Sequence, residues 1–403
     1  MARLAQRVRD LAPSQTLALS AKANELRAAG HPVINFSVGE PDFTSPKAAM
    51  DAGRAAIDAG QTHYPPVPGT AELRQAIVDK VAETTGKRYA PGQVLVSNGA
   101  KHTLYNLIQV LVDPGDEVAY ASPYWVSYPA MVQLAGGLSV PIPTRASEGF
   151  RLDPAAVEAA LGPRVKVLIL NSPCNPTGAV ADPADVQAVV KIALDKGVTV
   201  ISDEIYGSLV FAGATHTSAV TVDHPGVDEG VILVDGVSKG YAMTGWRIGY
   251  CVGPQDVIKA AAKIQGQSTS GACAIAQAAA AGALRGGDAE AAEMRARFAA
   301  PREVMLESLR AIPGVTVPEA KGAFYAFPDV SSYFGAELGG RTIEGSLDLS
   351  TLLLEKAYVG CVPGAAFGAN AHLRLSYALA EDQIREGVER IAKVLAGAKV
   401  KAS

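Results

Sequence analysis

Through the middle of the chain, short β-rich apolar runs bounded by turn residues alternate with longer helical patterns. This alternation predicts parallel strands joined by helical crossovers. The predicted strands are Val94–Ser97, Glu117–Ala121, Val165–Asn171, Val198–Ser202, Val231–Asp235 and Arg247–Val252. Some are apolar throughout, as in Val167-Leu168-Ile169-Leu170, which predicts burial on both faces, as parallel strands have. Between them the pattern predicts helices at Lys101–Leu111, Tyr128–Ala135, Pro154–Leu161 and Pro183–Lys196. The last opens on Asp182-Pro183, an N-cap followed by proline in the first turn, and closes at Gly197.

The pattern changes in the last third. A charged helical stretch, Asp288–Ala311, precedes the β-rich Gly322–Phe327, a helix at Leu349–Ala357 and a strand at Leu373–Tyr377. At the other end, helix-like Leu17–Ala29 leads into an extended His31–Val38. The predicted fold class is α/β: a mostly parallel central sheet flanked by helices, with a smaller α+β domain built from both chain ends. The expected divisions are 1–44 as an N-terminal arm and part of the small domain, 45–285 as the large domain and 286–403 as the small C-terminal domain. Neither an internal repeat nor a low-complexity linker interrupts this order.

Composition narrows the partners. Of 403 residues, 48% are hydrophobic and 19% charged, below the roughly 25% charged of an average soluble domain, so a large core is expected and disorder is excluded. The low charge also suggests surface buried between subunits. A net charge of -4 lacks the basic footprint of a nucleic-acid binder and favours small-molecule partners. No export signal is read in residues 1–30, and the longest uncharged stretch, Val118–Thr144, is broken by four prolines, so no membrane span is expected. Cys174, Cys251, Cys273 and Cys361 lie far apart, which reads as reduced thiols of a cytoplasmic protein. The six histidines show no metal-ligand spacing, so no metal is expected.

Two readings compete for Gly236-Val237-Ser238-Lys239-Gly240. It satisfies Gly-x-Ser-x-Gly, the nucleophile elbow of a serine hydrolase, but the segment after it reads as a strand rather than the required helix, and only His372 lies downstream. The second reading turns on Lys239. A lysine at a strand end, closed in a pocket, loses its proton more readily and becomes a nucleophile toward carbonyls. Two earlier strand ends carry Asn175 and then Asp203 with Tyr206. Ligands of open α/β sheets bind at the carboxyl ends of strands, so these groups can converge.

Asn175-Pro-Thr-Gly178, Asp203-Glu-x-Tyr206, Ser238-Lys239 and Met243-Thr-Gly-Trp-Arg247-Ile-Gly, in this order and spacing, resemble the signatures of class I/II aminotransferases. These are fold type I pyridoxal-phosphate enzymes. The resemblance extends from Ser14 and Gly39-Glu-Pro-Asp-Phe43, through Tyr64-Pro-Pro-Val-Pro-Gly69 and Pro123-Tyr-Trp125-Val-Ser-Tyr-Pro129, to Arg374-Leu-Ser-Tyr377. It covers nearly the whole chain and lies nearest the bacterial aspartate aminotransferase subgroup.

The resemblance implies a role for each matched residue. Lys239 would hold pyridoxal 5′-phosphate as a Schiff base and then shuttle the proton of the substrate's Cα. Asp203 would pair with the ring nitrogen, while Tyr206 and Asn175 would bond the ring's phenolic oxygen. Trp125 would stack on the ring. Arg247 and the amides of Gly99, Ala100 and Lys101 would hold the phosphate at a helix N-terminus. Tyr64 would reach the phosphate of a neighbouring subunit, which implies a homodimer. Arg374 would grip the substrate α-carboxylate beside Asn175, Trp125 and the Gly39 backbone, and Lys101 would meet a distal carboxylate. The implied reaction is ping-pong transfer of the amino group from L-aspartate to 2-oxoglutarate through the pyridoxamine form. Alternatives on the same cofactor are transamination of aromatic or other amino acids, β-elimination and decarboxylation. One position departs from the family: many relatives carry a phosphate-binding hydroxyl three residues before the lysine, where this chain has Gly236.

Overall fold

The computed structural model describes residues 4–11 and 15–398. Ser14, one of the matched positions, lies outside the described residues. The central sheet has seven strands: β1 (Val94–Ser97), β2 (Glu117–Ser122), β3 (Leu138–Pro143), β4 (Val165–Asn171), β5 (Thr199–Asp203), β6 (Val231–Gly236) and β7 (Gly249–Val252). Their spatial order is β1-β7-β6-β5-β4-β2-β3. Every pairing is parallel except the two made by β7, which runs against both β1 and β6.

The apolar strands are buried on both faces. Along β4, Leu168 and Leu170 enter the core on one side of the sheet while Val167 and Ile169 enter the core on the other. Truncating one such leucine to alanine costs about 2–5 kcal/mol. The crossover helix Pro183–Asp195 is capped as expected, with Asp182 Oδ1 accepting from the Ala184 amide at 2.9 Å. Strand β3 was not among the predicted strands. It is a largely exposed edge strand that pairs only with β2, and such a position tolerates Pro141 and Pro143. Helices Lys47–Asp58 and Ala274–Gly286 also went unpredicted; they pack on one another through small residues, with Gly282 against Ala48 and Ala52.

The last third forms a second apolar core, which Tyr206 and Leu209 also enter, around a three-stranded sheet in which Leu373–Ser376 lies between Val362–Pro363 and Tyr325–Ala326. The predicted helix Asp288–Ala311 is two helices, Asp288–Arg297 and Ala299–Arg310, with Phe298 buried between them. From the other end of the chain, Ile34–Asn35 pairs in parallel with Val359–Gly360, and Phe36 is buried in the same core. No helix among the described residues is long and apolar enough to cross a membrane.

Candidate active site

The carboxyl ends of β1, β2, β4, β5 and β6 share one edge of the sheet, where a cavity of about 420 Å³ opens toward the C-terminal core. Lys239 enters it from the single helical turn Val237–Gly240 that follows β6. Its Nζ donates to the Gly39 carbonyl at 2.5 Å. Burial, reinforced by the positive charges of Arg374, Arg247 and Lys101 and opposed by Glu40, pushes its pKa down to about 8.

Asp203 closes the end of β5 and is 3% exposed. Burial pushes its pKa up to about 6, against the stabilising hydrogen bonds from Tyr128 and the Ile205 amide. Tyr128 Oη donates to Asp203 Oδ2 at 2.6 Å. Tyr206, in the turn beyond, shares a 2.9 Å hydroxyl contact with Tyr325, and burial raises the pKa of both phenols. Asn175 follows β4, with its amide tied to Asn171 Oδ1 at 3.1 Å.

Arg374 comes from the C-terminal core. Its guanidinium donates to Asn175 Oδ1 at 2.9 Å and to the Ser37 carbonyl at 3.0 Å, and it lies over the Tyr325 ring, 4.3 Å from the centroid. Its Nε is buried and has no partner among the described residues. A buried donor without a partner costs free energy, so this one marks a place for an acceptor. Lys101 sits at the start of helix Ala100–Leu111, with its Nζ 5.0 Å from the centroid of the Trp125 ring; burial and the charge of Arg247 lower its pKa.

Glycine backbones let the parts of this site meet. Gly99, at φ +84°, occupies the left-handed region, and a Cβ there would strike the Arg247 guanidinium. At Gly236 a Cβ would lie 2.8 Å from the Ile248 carbonyl and 2.9 Å from Gly249 Cα. One at Gly249 would run into the backbone of Gly99 and Ala100. The departure at Gly236 therefore has a physical reason: a residue carrying a hydroxyl has no room between these backbones.

Lys239, Asp203, Tyr206, Asn175, Trp125, Ala100, Lys101, Arg247, Gly39 and Arg374 all line the one cavity, and Gly99 adjoins it through Arg247. Tyr64 does not. It is 93% exposed and borders a surface hollow with residues 269–275. The hydrolase alternative fails. The Ser238 turn ends at Gly240 with no long helix behind it, and His372 is stacked on Phe327 at 4.8 Å, its Nε2 4.0 Å from an Asp329 carboxylate oxygen and far from any role beside Ser238. Sequence reasoning gave no role to Tyr128 or Tyr325, although each lies inside a segment it had singled out. Their signal is tertiary: each phenol meets a residue far away in the chain.

The family model "Aminotransferase class I and II" matches residues 31–391. An aspartate aminotransferase of Geobacillus stearothermophilus is 43% identical over 389 residues, spanning 96% of this chain and 98% of that protein. An aspartate/prephenate aminotransferase of Cereibacter sphaeroides is 43% identical over 399 residues, spanning 98% and 100%. Among solved structures, the aspartate aminotransferase from Thermus thermophilus with maleate superposes with a TM-score of 0.91 at 41% identity, covering 98% of this chain and 100% of that one.

Proposed function

The chain belongs to the class I and II aminotransferases, and we propose on that footing that it moves the amino group of L-aspartate to 2-oxoglutarate with pyridoxal 5′-phosphate held at Lys239. The observation that carries this reading is the meeting of a half-buried, desolvated amine with a buried carboxylate and a buried guanidinium in one cavity.

The residues fit the cofactor. Its aldehyde needs a neutral amine, and Lys239 loses its proton at about pH 8. A ring nitrogen that must stay protonated needs a carboxylate, and Asp203 points into the same space. A phosphate dianion needs a cationic cradle, and Arg247 lies beside the N-terminal amides of helix Ala100–Leu111. When bound, the cofactor supplies a carbonyl that takes up the amino group and a ring that accepts the electrons released at Cα. The chain does the rest. Arg374 binds the α-carboxylate with Asn175 and the Gly39 backbone alongside, and its unpartnered Nε gains an acceptor. Lys239 would take the proton released at the substrate's Cα and hand it to the cofactor carbon that carried the aldehyde. Tyr206 would hydrogen-bond the cofactor's phenolic oxygen, and Trp125 would cover its ring.

Lys101 selects the donor. A partly desolvated ammonium in this cavity favours a second carboxylate, and the Thermus relative was solved with maleate, a dicarboxylate. Residues 45–285 act as the cofactor-holding unit, and 1–44 with 286–403 as the smaller unit that closes over substrate. Exposed Tyr64, beside the hollow at 269–275, supports a homodimer in which it serves the partner's site. The free thiols of Cys174, Cys251, Cys273 and Cys361 suit a cytoplasmic setting.

The test is direct. Purified protein supplied with pyridoxal 5′-phosphate should show a visible band that borohydride abolishes, and should convert aspartate and 2-oxoglutarate to oxaloacetate and glutamate. Absence of the band, or turnover of alanine or phenylalanine in preference to aspartate, would defeat the proposal. A single subunit in sedimentation would overturn the role given to Tyr64.

A further inference from the structure

We infer that Tyr128 is a positioning residue for this reaction: its hydroxyl holds Asp203 as a carboxylate facing the cavity, while its ring braces Trp125. The inference rests on the reading of Asp203 given above and extends it to a residue that only the fold brings near.

Tyr128 lies in the first turn of helix Ser127–Leu134, after β2, and Asp203 ends β5 two strands away. The phenol is 2% exposed, and its one hydrogen bond among the described residues goes to Asp203 Oδ2. Asp203 Oδ1 accepts from the Ile205 amide at 3.4 Å, so both carboxylate oxygens are acceptors, as the ionised form requires. The ring of Tyr128 meets Trp125 edge-on, 5.4 Å between centroids and 83° between planes. One side chain thus supports two of the groups assigned to the cofactor ring.

Energetics give the hydroxyl its purpose. Burying a carboxylate favours its neutral form, and a neutral Asp203 could no longer balance a positive ring nitrogen. Other charged and titratable neighbours do little to prevent this. Glu204, next in the chain, repels the charge and is itself occupied by Ser202, Ser218 and His216. Tyr206 bonds Tyr325 instead, desolvation raises the pKa of the half-buried Cys174 thiol, and Lys239 donates to Gly39. The charge-assisted bond from Tyr128 is the side-chain contact that favours the ionised acid.

Pyridoxamine 5′-phosphate makes a clean probe, because it binds without a covalent bond to Lys239. Its affinity for the apo-protein, followed by equilibrium dialysis from about pH 5 to pH 9, should fall as Asp203 takes up a proton. Asp203→Asn should flatten that fall. Tyr128→Phe, which keeps the bracing ring and removes only the hydroxyl, should move its midpoint up by about one pH unit. If Asp203→Asn leaves the fall intact, the assignment of Asp203 is wrong. If Asp203→Asn flattens it while Tyr128→Phe leaves the midpoint where it was, the inference about Tyr128 alone is overturned. Should Tyr128→Phe bind too weakly to titrate, the double variant decides. No further loss beyond Asp203→Asn supports action through the carboxylate, and an additive loss refutes it.

Discussion

Lys239 and Arg374 face one cavity from opposite sides and are held there in different ways. Lys239 stands on a turn whose backbone touches that of Gly249, in the interior of the seven-stranded sheet. Arg374 stands on a short strand of the C-terminal core and reaches the loop after β4 through its hydrogen bond to Asn175, with a second bond to the Ser37 carbonyl on its own side. In the proposed reading the first region fixes the cofactor's groups by main-chain contact. The second presents the substrate's groups across a seam where hydrogen bonds run beside buried side chains, with Tyr206 and Leu209 packing into the C-terminal core. Damage to the sheet side should therefore strike cofactor and turnover together, and damage to the other side should strike the substrate alone.

The largest effect tests the sheet side. Lys239→Ala should reduce transamination by about 10⁴-fold, the upper range of what one general acid–base group contributes, and should remove the borohydride-sensitive band. Arg374→Ala should lower kcat/KM for aspartate by about 10²-fold, chiefly through KM, while affinity for pyridoxal 5′-phosphate stays within about twofold. A matching loss of cofactor affinity would erase the contrast between the two regions. Lys101→Ala sharpens it, because this residue belongs to the sheet side yet is assigned to the substrate. Its kcat/KM for aspartate should fall about tenfold relative to that for alanine, and an unchanged ratio would remove Lys101 from donor selection. The smallest effect is one of pH. The neutral amine is the nucleophile and Lys239 titrates at about 8, so capture of pyridoxal 5′-phosphate by apo-protein should speed up tenfold per pH unit below that value and level off above it. A rate still climbing tenfold per pH unit from pH 8 to 9 would mean that the amine is not buried as described.

Much of the sheet side is legible in the sequence because its signals are local. Each strand is a short apolar run with a punctuated end; Asp203 closes one such run, and Asn175, Tyr206 and Lys239 sit three or four residues past theirs. Bounds shifted by a residue or two: Val198–Ser202 became Thr199–Asp203 and Arg247–Val252 became Gly249–Val252, since Arg247 lies at φ +55° before the strand begins. What sequence missed depends on partners. Strand β3 owes its state to the edge of β2, helix Ala274–Gly286 to a facing helix of equally small residues, and the phenols of Tyr128 and Tyr325 to residues 75 and 119 positions away. No periodicity along one segment encodes such meetings. The motif resemblance supplied roles for matched positions, but it could not say why Gly236 replaces a hydroxyl; only the closeness of Ile248 and Gly249 does that.

That closeness has a further consequence. Gly236 abuts Gly249, and Gly249 abuts the backbone at Gly99–Ala100, so the lysine's turn and the anion-binding helix start are spaced by three stacked main chains. The site thus contains a gauge whose length no rotamer, salt concentration or closing movement can change. It should accept ring-phosphate compounds of a single reach and reject homologues with one more carbon between ring and phosphate, however well the rest of the pocket adapts.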